Sequence, residues 1–366
     1  MVYNTPMTAF KDDIEGAKAR VEAWWKGSVL DRPAIIVSAP RAPRYEVPVP
    51  KAATLDEFWT KPEVVIPRLE NAMATTWYGG ESMPIMYPVS TNLVAITCKF
   101  LGAENIYIDD HTTWSKPFLT SLKDRPPLRF DPENEWWKKT LALMDTAADR
   151  IQAGGLEIFM GNPDLNGPTE ILSDIRGAQE LALDFYDERD AIAPAIREVQ
   201  DAWYEFWNRT RAISGRFGGS FTWMGIWSPV PAVDLQSDVS CLISKEQFDS
   251  VFLDFIREQT ERIERTVYHL DGPGAIRHLD SLLALEKLSA IQWVQGAGAG
   301  PMSDWIELLR RIRDGGKPVQ AYCEPQEVET ILKALGGEGV LLNTTCSCVE
   351  EGERLLENAS IWAGMR

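Results

Sequence analysis

Three histidines serve 366 residues, and one of them, His269, stands two places before an acid in Thr266-Val-Tyr-His269-Leu-Asp271-Gly-Pro-Gly274. The apolar run reads as a strand that breaks into a glycine-proline turn. Side chains i and i+2 of a strand share one face, so His269 and Asp271 can converge on one ligand. Cys323, Cys346 and Cys348 lie downstream. Neutral imidazole, carboxylate and thiolate are the ligand types of zinc, which makes His269, Asp271, Cys323, Cys346 and Cys348 the candidate metal ligands. The competing reading of a short His-x-Asp pattern is a hydrogen-bonded strand end.

Chemistry of this kind needs elements that bring distant residues to one place. Short apolar runs alternate with longer amphipathic ones. Residues 33–38, 83–87, 156–160, 219–224, 232–235, 266–270, 290–294, 318–322 and 339–342 read as strands, nearly all continuous apolar runs of the kind buried on both faces. Helical periodicity marks 20–25, 57–76, 194–212, 245–265, 304–314 and 327–335. Strand-helix alternation without a dinucleotide glycine fingerprint predicts an α/β fold, a (β/α)8 TIM barrel with an N-terminal helical elaboration. Residues 1–30 are expected to form that extension and 31–366 the barrel, with 41–150 partly a cap over its mouth.

Active sites of such barrels lie where strands end and βα loops begin. His269 and Asp271, Gln292 to Gly298, Tyr322 and Cys323, and Thr345 to Cys348 all follow strands in this sense, as do Asn162, Asp164, Asp234 and Asp238. Asp238, Tyr268 and Asn162 are the candidate catalytic groups. Trp223, Gln292 and Trp293 are candidates for contact with a cofactor, since flat rings near βα loops can stack on a methylated or aromatic ligand. Arg41, Arg44, Asp164 and His278 are candidates for substrate binding. Most of the 14 tryptophans are expected to pack in the core.

With 54 acidic and 37 basic residues the formal charge is -17, which repels phosphate backbones and anionic membranes. Nucleic acid and membrane are therefore not expected partners. No apolar run reaches the ~18 residues of a membrane span, and no basic-then-apolar leader opens the chain. A cytoplasmic protein with reduced thiols is expected, the five cysteines being too sparse for a disulfide scaffold.

Three stretches resemble the uroporphyrinogen decarboxylase superfamily: Asp31-Arg32-Pro33, the segment Leu235-Gln-Ser-Asp238-Val-Ser-Cys-Leu-Ile-Ser244-Lys-Glu-Gln-Phe248, and His269-Leu-Asp271-Gly272 followed by Ile291-Gln-Trp293. That superfamily includes cobalamin-dependent methyltransferases acting with coenzyme M or related acceptors. The resemblance covers most of residues 30 to 360 and implies a TIM barrel. The heme-pathway decarboxylases carry Arg-Gln-Ala-Gly after the first strand, whereas this chain reads Ser38-Ala39-Pro40-Arg41-Ala42-Pro43-Arg44. The methyltransferase branch uses His-x-Cys and a distant second cysteine for zinc. Here Asp271 stands where the first cysteine would be, and Cys348 or Cys346 supplies the second, with Cys323 a substitute.

The resemblance thus implies a zinc-dependent methyltransferase, moving a methyl group between a small substrate and a corrinoid. The chain has no Asp-x-His-x-x-Gly motif, so a partner protein would carry the corrinoid; a monomer or homodimer is implied. A second reading is a metal-free carboxy-lyase for a smaller carboxylated substrate, with Asp238 or Asp271 as acid and Arg41, Arg44 or Arg277 binding carboxylates. A third is a non-catalytic binding protein on a barrel scaffold.

Overall fold

The computed structural model describes residues 10–154 and 157–365. Eight strands carry the architecture: β1 Ala34–Pro40, β2 Ile85–Met86, β3 Phe159–Met160, β4 Ala232–Gln236, β5 Arg265–Asp271, β6 Ala290–Val294, β7 Val319–Tyr322 and β8 Val340–Thr345. Six of them hydrogen-bond side by side in the order β1-β8-β7-β6-β5-β4, all parallel. Strand Thr76–Gly80 adds to the free edge of β1 antiparallel, which completes a seven-stranded sheet. β2 and β3 form a separate parallel pair. The fold is mixed α/β and TIM-barrel-like.

Period-two alternation assigns the two faces. Ile35 and Val37 of β1, Tyr268 and Leu270 of β5, Ile291 and Trp293 of β6, and Val319 and Ala321 of β7 join a large buried cluster with the apolar faces of the helices. The alternate residues Ala34, Ile36, Val267, Ala290 and Leu341 join a second cluster that also takes in Phe159 of β3 and helix Ile14–Trp25. In the sheet, β8, β7 and β6 separate β1 from β5. A cluster shared by β1, β5 and β3 therefore requires the sheet to curl around it.

Helix Ile14–Trp25 fixes which end is open. Its Trp24 and Trp25 indoles donate to the carbonyls of Val319 (3.1 Å) and Trp227 (2.9 Å). Val319 is the first residue of β7, so the helix closes the N-terminal ends of the strands. The C-terminal rim, where β5 ends at Asp271, is left for chemistry.

The sequence-predicted elements differ from the structure in three instructive places. The helix expected over 57–76 is two, Leu55–Thr60 and Pro62–Ala74, because Pro62 has no N–H to continue the first one. The strand expected over 219–224 is instead a short antiparallel hairpin, Ser220–Phe221 with Trp227–Ser228, reached through Gly218 and Gly219 at φ 83° and 134°. The helix expected over 245–265 begins at a Ser244 capping box, passes through a π turn at Phe248–Phe252 and ends at Arg262. Residues 41–150 hold four helices, including Glu135–Gly154, and the hairpin Glu104–Tyr107 with Thr113–Lys116. Among the described residues no helix is long and apolar enough to cross a membrane.

Candidate active site

His269 belongs to the inner face of β5, between Val267 and Asp271. Its register partners are Gln236 on β4 and Gln292 on β6. Gly272, at φ 72°, turns the chain out of the strand immediately after Asp271, a conformation that favours glycine. The imidazole Nδ1 hydrogen-bonds to Oε1 of Gln292. An amide oxygen only accepts, so Nδ1 carries the hydrogen and Nε2 presents its lone pair. The Trp223 ring stands edge-on to the imidazole at 5.4 Å between centroids and 71°.

The imidazole has company. One ligand atom each from Asp238, His269 and Asp271 lies within 4.8 Å of the other two. Asp238 starts the short 3-10 helix Asp238–Leu242 that follows β4. Its Oδ1 is buried and has no hydrogen-bond partner among the described residues. Burial, with the nearby charge of Asp271, raises the Asp238 carboxyl above its usual range, and His269 opposes the shift. A buried carboxylate oxygen without a partner is costly, and a cation offsets that cost. One imidazole and two carboxylates are acceptable zinc ligands that leave a position open, the arrangement of catalytic rather than structural sites.

Two more carboxyls stand behind the triad. Asp164 follows β3 and accepts the Asn166 N–H at 2.9 Å. Burial raises it to about 6, the charge of Asp238 adding to the shift while the Asn166 N–H and His269 oppose it. Asp234, on the inner face of β4, accepts the Trp223 N–H at 3.3 Å. Burial raises it to about 8, with Asp164 adding. The 161–167 loop reaches this position only because residue 167 is glycine: a Cβ there would lie 1.8 Å from the Gln236 carbonyl oxygen. No lysine or arginine of the eight strands shares this part of the inner face. Arg265 begins β5 at the closed end and is paired with Glu22. A pocket of about 480 Å³ opens at the ends of β6, β7 and β8, with Gln295, Tyr322, Cys323, Glu327 and Asn343 in its wall and no residue of the triad among its lining.

The structure thus brings Asp164, Trp223, Asp238, His269, Asp271 and Gln292 together, and it puts the other candidates elsewhere. Tyr268 and Trp293 have the opposite parity and are buried in the large outer cluster, Trp293 against Trp305 at 5.0 Å. Asn162 is buried with its Oδ1 accepting from Ser214 (3.2 Å), at the end of helix Arg189–Ser214. His278 donates from Nε2 to the Ser240 carbonyl (2.9 Å) and stacks on Phe248 at 4.2 Å. Burial lowers its pKa, so it is a neutral core histidine. Arg41 and Arg44 line a different cleft with Phe10, Lys11 and Tyr78, where Arg44 donates to the Phe10 carbonyl at 2.7 Å. Arg277 donates to the Ile243 carbonyl.

No cysteine sulfur joins the triad among the described residues. Cys346 is buried in the outer cluster, Cys323 faces the 480 Å³ pocket and Cys348 precedes helix Val349–Trp362. Burial pushes the Cys323 thiol up to about 12 and the Cys346 thiol up to about 11, so both are protonated at neutral pH. Inner-face residues that the sequence reading did not single out are Gln236 and Gln320. Each is the lone glutamine of a largely apolar strand, Ala232–Gln236 and Val319–Tyr322.

No protein-family model and no curated relative matches the sequence. Among solved structures, a methyltransferase from Methanosarcina mazei aligns over 94% of this chain and 97% of its own, with a TM-score of 0.60 and 13% identity. At that identity the likeness is one of fold. A protein from Bacteroides thetaiotaomicron VPI-5482 aligns over 61% of this chain and 75% of its own at 10% identity, and its TM-score of 0.24 carries no argument.

Proposed function

We propose that the chain is a zinc-dependent methyltransferase whose metal is held by Asp238, His269 and Asp271, and which exchanges a methyl group between a small substrate and a corrinoid on a partner protein. The observation that carries this reading is the convergence of the three ligand atoms on the open rim, with Asp238 Oδ1 buried and unpartnered. The fold shared with the Methanosarcina mazei methyltransferase and the superfamily resemblance of residues 235–248 and 269–272 support the reaction class.

When bound, zinc supplies Lewis acidity, which favours the thiolate of a substrate thiol or polarises a methyl donor. Gln292 holds the imidazole in the tautomer that offers Nε2 and fixes the ring plane. Asp238 and Asp271 together bring two negative charges against a divalent ion. As oxygen ligands they would leave it more positive than thiolates would. Trp223 packs against the imidazole and restricts its swing. Asp234 holds its proton at neutral pH and keeps the Trp223 backbone in place. The carboxy-lyase reading has less support, since Arg41 and Arg44 line a different cleft and Arg277 donates to the Ile243 carbonyl.

The test is methyl transfer from free methylcobalamin to 2-mercaptoethanol, followed by the cobalamin spectrum. The zinc-loaded protein is expected to accelerate transfer at least about tenfold, with the gain lost in His269→Ala, in keeping with a metal site built on three ligands. Equal rates with and without zinc, or in His269→Ala, would contradict the proposal.

A further inference from the structure

Gln320 is fully buried on β7, and neither its amide nitrogen nor its amide oxygen has a hydrogen-bond partner among the described residues. Its neighbours Val319 and Ala321 belong to the outer cluster, so alternation turns Gln320 inward. Its register partners agree: Gln292, which holds His269, on one side and Leu341 of the inner cluster on the other. Tyr322, two residues on and so on the same face, lines the 480 Å³ pocket. Gln320 therefore sits one layer below that pocket and level with His269. Two strand steps separate the two Cα positions, about 10 Å at the usual spacing.

A buried amide with both atoms unpaired is costly to the fold unless a bound molecule, water or ligand, meets it. Only certain groups satisfy it. A carboxylate accepts from Nε2 but offers Oε1 nothing, and an ammonium does the reverse. A carboxamide or hydroxyl donates and accepts at once. The charges nearby agree, because Asp164, Asp234, Asp238 and Asp271 gather on this rim without a lysine or arginine on the same part of the inner face.

We propose that Gln320 sets substrate specificity, reading a neutral carboxamide or hydroxyl at one end of a short molecule whose other end reaches the metal site. The position of that other end rests on the metal reading; the recognition of the polar end rests on Gln320 itself. The small molecule is accordingly neutral and short, and carboxylated or sulfonated analogues are rejected.

The experiment uses cobalt(II) in place of zinc and three thiols of matched length: 3-mercaptopropanamide, 3-mercaptopropanoate and 1-butanethiol. The thiolate-to-cobalt absorption band reports binding. The amide is expected to bind at least about tenfold tighter than the other two, roughly the value of one good hydrogen-bond pair. Gln320→Leu, close in volume, is expected to bring the amide level with butanethiol while cobalt affinity stays unchanged. A wild type without that preference, or a variant that keeps it, would overturn the assignment.

A second readout is independent of the metal. In metal-free protein Gln320→Leu is expected to raise Tm by about 3 °C, because an unpaired buried amide is replaced by an apolar side chain. A lower Tm would show Gln320 to be a packing residue and overturn the proposal. Failure to take up cobalt would count against the metal reading alone. Calorimetric binding of 3-mercaptopropanamide to the metal-free protein, lost in Gln320→Leu, would then support the specificity claim, and its absence would refute it.

Discussion

Asp234→Asn offers a quantitative test of the electrostatics of the site. Asp234 is buried, and its carboxyl is raised to about 8, whereas an unfolded aspartic acid ionises near pH 3.9. Between those values the folded chain keeps a proton that the unfolded chain has released. Each pH unit in that window therefore favours unfolding by about 1.4 kcal/mol. The stabilising contribution of the neutral carboxyl is complete below about pH 4 and is lost as pH rises toward 8. Four units give about 5–6 kcal/mol, which for a chain of this size is about 7 °C in Tm. Asn keeps the oxygen that accepts the Trp223 N–H and cannot ionise. Thermal melts of metal-free wild type and Asp234→Asn from pH 4 to 9 are expected to show the variant gaining on the wild type as pH rises, by several degrees at pH 8. A variant that is destabilised by the same amount at every pH would refute the reasoning, since it would mean Asp234 is ionised and paired in the fold.

Other expectations follow from the same geometry. Gln292→Leu removes the acceptor that fixes the His269 tautomer and should weaken metal binding about 10- to 100-fold in competition titrations; unchanged affinity would remove Gln292 from the account. Cys346→Ser and Cys348→Ser should leave metal stoichiometry unchanged, and loss of metal in either would restore a cysteine to the ligand set. His278→Ala should cost about 2–4 kcal/mol in denaturant melts while metal uptake survives, because its ring only packs and holds Ser240. Its lowered pKa also means that its contribution is present above about pH 6.5 and is lost as pH falls, because the unfolded histidine takes up a proton that the folded one refuses.

The strands that matter most were legible because they are continuous apolar runs with hard stops: Ala290–Val294 matches its sequence reading residue for residue, and Asp271 is closed by a glycine at positive φ. The parity of β5 was legible too. A histidine and an acid at i and i+2 mark the inner face, and that same parity sends Tyr268 outward. His278 misled because histidine is scarce here, and scarcity does not distinguish a ligand from a packed ring; only the contact with Phe248 does. Arg41 and Arg44 follow β1 as a rim residue should, yet Arg44 folds back on Phe10, 34 residues earlier, a contact that no local pattern announces. The stretch 219–224 has the aromatic and hydroxyl residues of a strand, but two glycines at positive φ bend it into a hairpin. Gln320 escaped notice because an inward glutamine and an outward one look alike until the register is known.

The central claim is the ligand set, and metal uptake measures it most directly. Purified protein stripped with chelator and dialysed against zinc should carry about one ion per chain by elemental analysis, as a three-ligand site requires. Asp238→Ala, His269→Ala and Asp271→Ala should each lose it, while the cysteine variants keep it. A wild type that stays metal-free, or an Asp238→Ala and His269→Ala double variant that still binds one zinc, would contradict the account.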